Sequence, residues 1–509
     1  MKKTFLLLVV FLAIAKMTFG QIWDVPNTKP DGDPFGAINY YIAGDTTATG
    51  ERAHPDRIYR LQKDKVYFLN GALYCNFDLK LIADEAVGSE KPPIVASTAD
   101  AAGVIQLIQF KLFGDGYVKN IIFQMTPPTG SGDSNASFFL SGEGHNYEFD
   151  NVMIEWGLWT GIVTEVPVNK VVIKNCYFKN PEHRTNIYNG RGFGFYQENP
   201  ADSVIMQNNT FFNMNSFAFF ADVSSISPNY FLFDHNTIVN SMKFPIHSFW
   251  FPDATVTNNL FYNAHSYGEN LQDRVGQDPD LQQYGIINLT ALPSDLLTYF
   301  DIAEGDRKYV VANNGFFYED DIITYLNEYN LDPTPFMNNR TQGMFDNSAM
   351  YPNFSVTNTM VENPDFINPG EGMASMIQWM KNKRNAVMNS QWGWDSDGDK
   401  FAVEWPVVEN LAYNNETLKT GAEGGFPVGD LNWWPEKKAE WLATMVATNE
   451  VQSKIGAITV EPNPAKTHLT IDYTLTEKSE VTISIYNLAG AQISTLYKGT
   501  QTGGDHSIN

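Results

Sequence analysis

The sequence predicts an all-β chain whose larger part is a parallel β-helix. Three observations carry this. Six times an asparagine precedes a short apolar run: Asn120-Ile121-Ile122-Phe123, Asn151-Val152-Met153-Ile154, Asn175-Cys176-Tyr177-Phe178, Asn209-Thr210-Phe211-Phe212, Asn236-Thr237-Ile238-Val239 and Asn259-Leu260-Phe261-Tyr262. The intervals are 31, 24, 34, 27 and 23 residues, the range in which solenoid units recur; sandwich strands recur every 8–12 residues. The spacing varies while the centre does not, as when loops absorb insertions and strands keep register. A single unit cannot bury its own apolar face, so it stacks on its neighbours, each coil adding roughly 4.8 Å. Asparagine suits the bend between two strands because it tolerates left-handed backbone angles. Stacked in successive coils, its amide bonds to the copies above and below.

From the beginning, residues 1–20 read as a secretory signal: Lys2 and Lys3, then an apolar run from Phe5 to Ala15, then small Thr18 and Gly20 before Gln21. The run is too short to span a bilayer, and no later stretch is long and apolar enough. A soluble, exported chain is expected, secreted or on the outer cell surface. Its removal leaves 31 basic against 58 acidic residues, a net charge of −27. Such a balance argues against nucleic acid as a partner. Cys75 and Cys176 lie 101 residues apart; export permits a disulfide, but the strand position of Cys176 favours buried free thiols.

The polar, Gly- and Pro-rich stretch from Ile22 to Ala53 reads as a lead-in. First coils are expected at Arg57–Leu61, Val66–Leu69, Leu79–Ile82, Ile94–Val95 and Val104–Ile108. Residues 21–318 form the expected β-helix. The longest interval within the six copies holds Glu182-His183-Arg184 and Tyr188-Asn189-Gly190-Arg191, and long solenoid loops gather on one face, often the binding face. Residues 319–450 read as a cap or accessory layer, with helices near Asp320–Tyr329, Met373–Val387 and Pro435–Thr448 and aromatic-pinned irregular structure around Trp433-Trp434. Residues 451–509 read as a small antiparallel sandwich, from the alternation in Leu469–Tyr473, Val481–Tyr486 and Ile493–Tyr497.

The repeated units, from about Asp56 to Tyr318, resemble right-handed parallel β-helix proteins of the pectate-lyase-like type. That resemblance implies lyases, hydrolases, epimerases, tailspikes and adhesins alike, so it sets architecture and not chemistry. Pro462-Asn463-Pro464 and Ile485-Tyr486-Asn487-Leu488-Ala489-Gly490 closely resemble the C-terminal sorting domain of type IX secretion cargo in Bacteroidota and relatives. That implies the type IX machinery as a partner. Such domains normally continue beyond Ser507-Ile508-Asn509, so an incomplete, Ig-like domain is expected.

Two functions follow. One is a surface protein, expected to be a monomer, that binds polysaccharide or a cell-surface glycan, or acts as an adhesin. The alternative is a polysaccharide lyase acting by β-elimination on a uronate-containing glycan. Lyases of this resemblance need a base and a charge clamp; the candidates are His183, Arg184 and Arg191, against a reading of all three as structural loop residues. Trp250, His247 and Tyr188 are the candidate sugar contacts, aromatic side chains offering flat stacking surfaces. Calcium is the candidate cofactor. Asp395, Asp397 and Asp399 are alternating carboxylates able to wrap such a cation, or a plain acidic turn. Lys400 and Pro406 exclude an EF-hand, and no paired acids for glycoside hydrolysis stand out among the many carboxylates.

Overall fold

A computed structural model describes residues 22–99, 104–128, 133–197, 199–221, 226–269, 284–449, 455–461, 470–475, 478–486 and 492–508. The expected signal peptide, the Pro462-Asn463-Pro464 entry and the Asn487–Gly490 turn lie outside the described residues. The chain divides into two compact units, the larger being residues 19–437.

The larger unit is a parallel β-helix with three sheets of eleven, ten and seven strands. One coil contributes one strand to each. Asn146–Asp150, Met153–Gly157 and Thr160–Thr164 make a coil, and Val168–Lys174, Tyr177–Pro181 and Arg191–Phe195 the next, every pair between them parallel. Alternate residues point inward, so Phe149, Ile154 and Ile162 from one coil meet Ile173, Phe178 and Phe193 of the next in one continuous core. Like positions stack: Phe178 lies over Phe211 at 4.9 Å with rings 8° apart, and Phe110 over Phe138 at 5.0 Å.

The coils begin before the first one expected at Arg57 and continue beyond the expected end of the β-helix at Tyr318. Ile22–Val25 pairs with Ile58–Leu61, and helix Ala37–Ala43 buries Ile38 and Ile42 in the core. A last coil, Phe354–Thr357 and Met360–Val361, pairs beyond Lys308–Ala312 and Gly315–Phe317. Four-residue strands inside polar sequence and an intervening insertion with helices Asp320–Glu328 and Asn339–Asp346 hide both ends from a periodicity argument.

The asparagine pattern resolves into separate columns. Tyr177 pairs with Thr210, which sets Asn208, and not Asn209, level with Asn175. The first column is Asn120, Asn151, Asn175, Asn208, His235, Asn258, Asn313 and Asn358, all with φ between 49° and 60°. The second begins where the sequence doubles the asparagine. Asn209, Asn236, Asn259 and Asn314 are fully buried, and each amide in turn donates to the next oxygen at 2.9–3.0 Å. Because both residues of each Asn-Asn pair precede the apolar run, spacing alone cannot phase them. A third column, Asn180, Asn213, Asn240 and Asn263, turns the chain out of the ten-stranded sheet, again at positive φ, and its amides are linked at 3.0–3.2 Å. Cys75 and Cys176 are both free and buried; burial pushes the Cys75 thiol up to about 12.

Residues 389–434 lie along the outward face of the ten-stranded sheet rather than across the solenoid end. Phe401, Val403, Trp405 and Val407 cover Ile94, Ile122 and Met153. Leu411, Trp394 and Trp433 cover Phe212, Val239 and Tyr262. Helix Met373–Arg384 buries Met376, Trp379 and Met380 as its apolar face predicts.

The smaller unit holds two antiparallel sheets, Ile455–Glu461 with Thr470–Leu475 and Gly504–Ile508, and Ser479–Tyr486 with Gln492–Gln501. Tyr473 and Leu475 from one sheet pack with Val481, Ile483 and Tyr497 from the other.

Candidate functional site

Two faces of the solenoid carry chemistry, and they differ in access. Beneath the covering segment, the outward column of the ten-stranded sheet reads Gln124, Glu155, Lys179 and Phe212 in successive coils. Lys179 is 2% exposed; its Nζ lies 3.3 Å from Glu409 and 4.0 Å from both Glu155 and Glu404, with Trp394 5.5 Å away. Tyr177 donates to Glu409. One cation among three carboxylates leaves excess negative charge. Burial, outweighing the lysine, raises the Glu155 carboxyl to about 8. Glu182 accepts from the backbone N–H groups of Trp392 and Gly393 and lies 3.9 Å from Lys400; burial raises it to about 7. Lys400 in turn bonds Asp133 and Gln391 and stands over the Trp156 ring. These groups join strand to covering segment, so they act as latches between the two.

The carboxylates of Asp395, Asp397 and Glu404 lie within 4.8 Å of one another. Glu404 therefore takes the place expected of Asp399, which instead accepts from the backbone of Phe401. Asp395 and Asp397 likewise accept from the backbone two residues on, the bonding of an acidic turn.

The outward face of the seven-stranded sheet is the accessible one. Its register sets Tyr74, Lys111, Phe139, Val163, Gly194, Phe220 and His247 in one column. Tyr74 is 56% exposed and Tyr196 42%. Phe139 meets Trp159 edge-on at 5.8 Å, and Trp159 meets Tyr196 at 5.7 Å, so three rings from successive coils form one half-exposed aromatic strip on this face. Lys111 stands 5.9 Å from the Phe139 ring and pairs with Glu165 at 2.6 Å. Further along, the column closes over. His247 is buried against Phe217, Phe220, Phe244 and Phe249 and bonds the Ala221 carbonyl, and Trp250 packs edge-on to Phe249. Of the three expected sugar contacts, Tyr188 alone is exposed, under Lys243 at 4.7 Å. Sequence reasoning missed Phe139, Trp159 and Tyr196. The outward parity of Phe139 within its strand was the available signal; Trp159 and Tyr196 flank strands and carried none.

The expected base candidates are spread out. His183 Nδ1 accepts from the backbone N–H groups of Thr185 and Asn186. In the neutral ring this fixes the proton on Nε2 and leaves no lone pair for a substrate proton. Burial and the nearby Arg184 and Lys383 charges lower its pKa. Arg184 is exposed, and its carbonyl caps the Trp379 indole. Arg191 Nε donates to Tyr188 O, its guanidinium 3.7 Å over Phe220.

Three long parallel sheets joined in sequence to a small unit of two antiparallel sheets define a parallel β-helix protein with a C-terminal β-domain. Residues 459–509 match the secretion system C-terminal sorting domain, the tail of type IX cargo. The protein is thus secreted or held at the outer surface, with the secretion machinery as a partner. Among the described residues no helix is long and apolar enough to cross a membrane. The sequence matches no curated protein.

Proposed function

We propose that this exported β-helix protein binds polysaccharide through the outward face of the seven-stranded sheet. The observation that carries the reading is the Phe139–Trp159–Tyr196 strip, three aromatic side chains in contact, one from each of three successive coils, on the outward side of the seven-stranded sheet. Half-exposed rings in a row suit the apolar faces of successive sugar rings. Lys111, Arg191 and Tyr188 border the strip with polar groups for hydroxyl or carboxylate substituents.

Retention of the chain from Gln21 on a panel of insoluble and immobilised polysaccharides tests this. At least one glycan retains the wild type, and Trp159→Ala weakens that binding by about 10-fold, the effect of losing one aromatic anchor. Failure of every glycan, or a Trp159→Ala variant that binds like wild type, overturns the proposal. Ultraviolet absorbance of unsaturated uronate ends, followed in the same mixtures with and without calcium, tests the alternative lyase reading, in which Arg184 or Arg191 serves the reaction.

A further inference from the structure

A second cleft lies on a different edge of the solenoid, where the eleven-stranded sheet bends into the ten-stranded one. Its volume is about 290 Å³, at the lower end of ligand-sized clefts, roughly 300–1,000 Å³. One wall is the first asparagine column, with Asn120, Asn151 and Asn175 from three successive coils. The other is the edge of the covering segment, with Trp405 and Trp433. Glu85 and Ala86, on the loop after strand Leu79–Ala83, complete the lining.

The chemistry of the walls is specific. Asn151 is exposed and Asn175 half-buried. Asn151 Nδ2 is used on Asn120 and Asn175 Nδ2 on Asp150, and neither amide oxygen accepts a bond from a described residue. The two oxygens are therefore acceptors one coil apart, roughly 4.8 Å. Trp433 spends its indole N–H on Thr210, whereas Trp405 donates to no described residue. The lining includes the carboxylates of Glu85 and Asp430 and no lysine or arginine. An anionic ligand is repelled here, and one carrying hydroxyl donors and an apolar face is accommodated. Backbone pairing is closed to a ligand, because the N–H groups of Asn120, Asn151 and Asn175 are already bonded to the next coil. A peptide adding itself as a strand has no free edge to join.

We infer that this cleft, formed between the asparagine column and the two tryptophans, is a binding site for an uncharged glycan chain lying along the solenoid axis. It is distinct from the open aromatic face, so the protein holds two glycan contacts on different edges. Successive monomers would place one hydroxyl on each amide oxygen and a ring face against indole.

Calorimetric titration of the exported chain with uncharged oligosaccharides (gluco-, xylo- and manno-hexaoses) tests the inference, beside polygalacturonate as the anionic comparison. At least one uncharged hexaose binds, with an affinity unchanged between 50 and about 500 mM salt, since no ion pair contributes. Ala86→Trp, which adds an indole to the cleft lining from a loop outside the core, weakens it by at least about 10-fold. Trp159→Ala, on the other face, leaves it unchanged. No uncharged hexaose binding overturns the inference, as does binding that survives Ala86→Trp. Loss in Trp159→Ala instead of Ala86→Trp moves the ligand to the aromatic strip. A failure of the strip reading leaves the hexaose result standing, because the two sites answer to different variants.

Discussion

Replacing Asn236 by alanine probes the inner amide column most directly. Asn236 is fully buried. Its Nδ2 donates to Met206 O and Asn259 Oδ1, and its Oδ1 accepts from the backbone and side-chain N–H groups of Asn209. Two of these partners keep another bond: Asn209 Nδ2 still reaches Ile173 O, and Asn259 Oδ1 still accepts from the Asn236 backbone. The Asn209 N–H loses its side-chain partner in a dry interior, while the Met206 carbonyl, inside the ladder between Ala201–Gln207 and Tyr230–Asp234, keeps its sheet pairing. The stranded N–H costs about 1–3 kcal/mol and the three other lost bonds about 0.5–1.5 kcal/mol each, so Asn236→Ala loses about 2.5–7.5 kcal/mol. Asn151→Gly is the comparison. That position is exposed, its amide makes one bond to Asn120, and glycine accepts the positive φ, so the loss is below about 1.5 kcal/mol. Urea denaturation followed by tryptophan fluorescence measures both. If Asn236→Ala loses no more than Asn151→Gly, the buried column does not stabilise the coils and the reasoning fails.

The latches carry two further predictions. Glu155 and Glu182 are raised in the folded state to about 8 and about 7, so the folded chain holds more protons than the unfolded one between their ordinary range and those values. Stability from this source is complete below about pH 4.3 and is lost as pH rises through 7–8. Melting temperature therefore falls from pH 5 to pH 8.5, and Glu155→Gln flattens the fall; an unchanged slope in the variant refutes the assignment. The lowered carboxylates Asp24 and Asp115 act in the opposite sense, but below this window. Lys179→Ala removes the cation among three carboxylates and destabilises by about 3–5 kcal/mol, as breaking a buried pair does. Lys179→Met combined with Glu409→Gln recovers part of that loss in the same denaturation assay, and a double variant no better than the single one excludes the ion pair as the cause.

How much was legible follows the range of the physics involved. The coils were readable because inward parity and an αL-tolerant bend are local demands, repeated many times. Helix Met373–Arg384 was readable for the same reason. The asparagine columns were readable in kind but not in phase: Asn208 and Asn209 satisfy the same local rule, and only pairing with Tyr177 separates them. The third column, five residues after the first at Asn175 and Asn180, Asn208 and Asn213, and Asn258 and Asn263, was present as a spacing and went unread. The site was mostly illegible. His247 looks like a sugar contact until Phe217 and Phe249 close over it, and Asp399 looks like a cation ligand until Glu404 arrives from the far side of the turn. The Lys179 latch joins residues more than 200 positions apart, a separation no pattern in the chain announces.

The covering segment has a consequence for the order of folding. Its bonds to the ten-stranded sheet span separations of 193–276 residues, as in Thr237 to Asp430, Tyr177 to Glu409 and Gln124 to Lys400, while successive coils close over a few tens. Contacts of such range form late, because the intervening loop entropy must first be overcome. A nascent chain that has not reached residue 389 therefore presents Ile94, Ile122, Met153, Phe212 and Val239 as a bare apolar stripe along a parallel sheet. Stripes of that kind recruit other chains, so a truncation before this segment yields aggregates rather than a shorter solenoid.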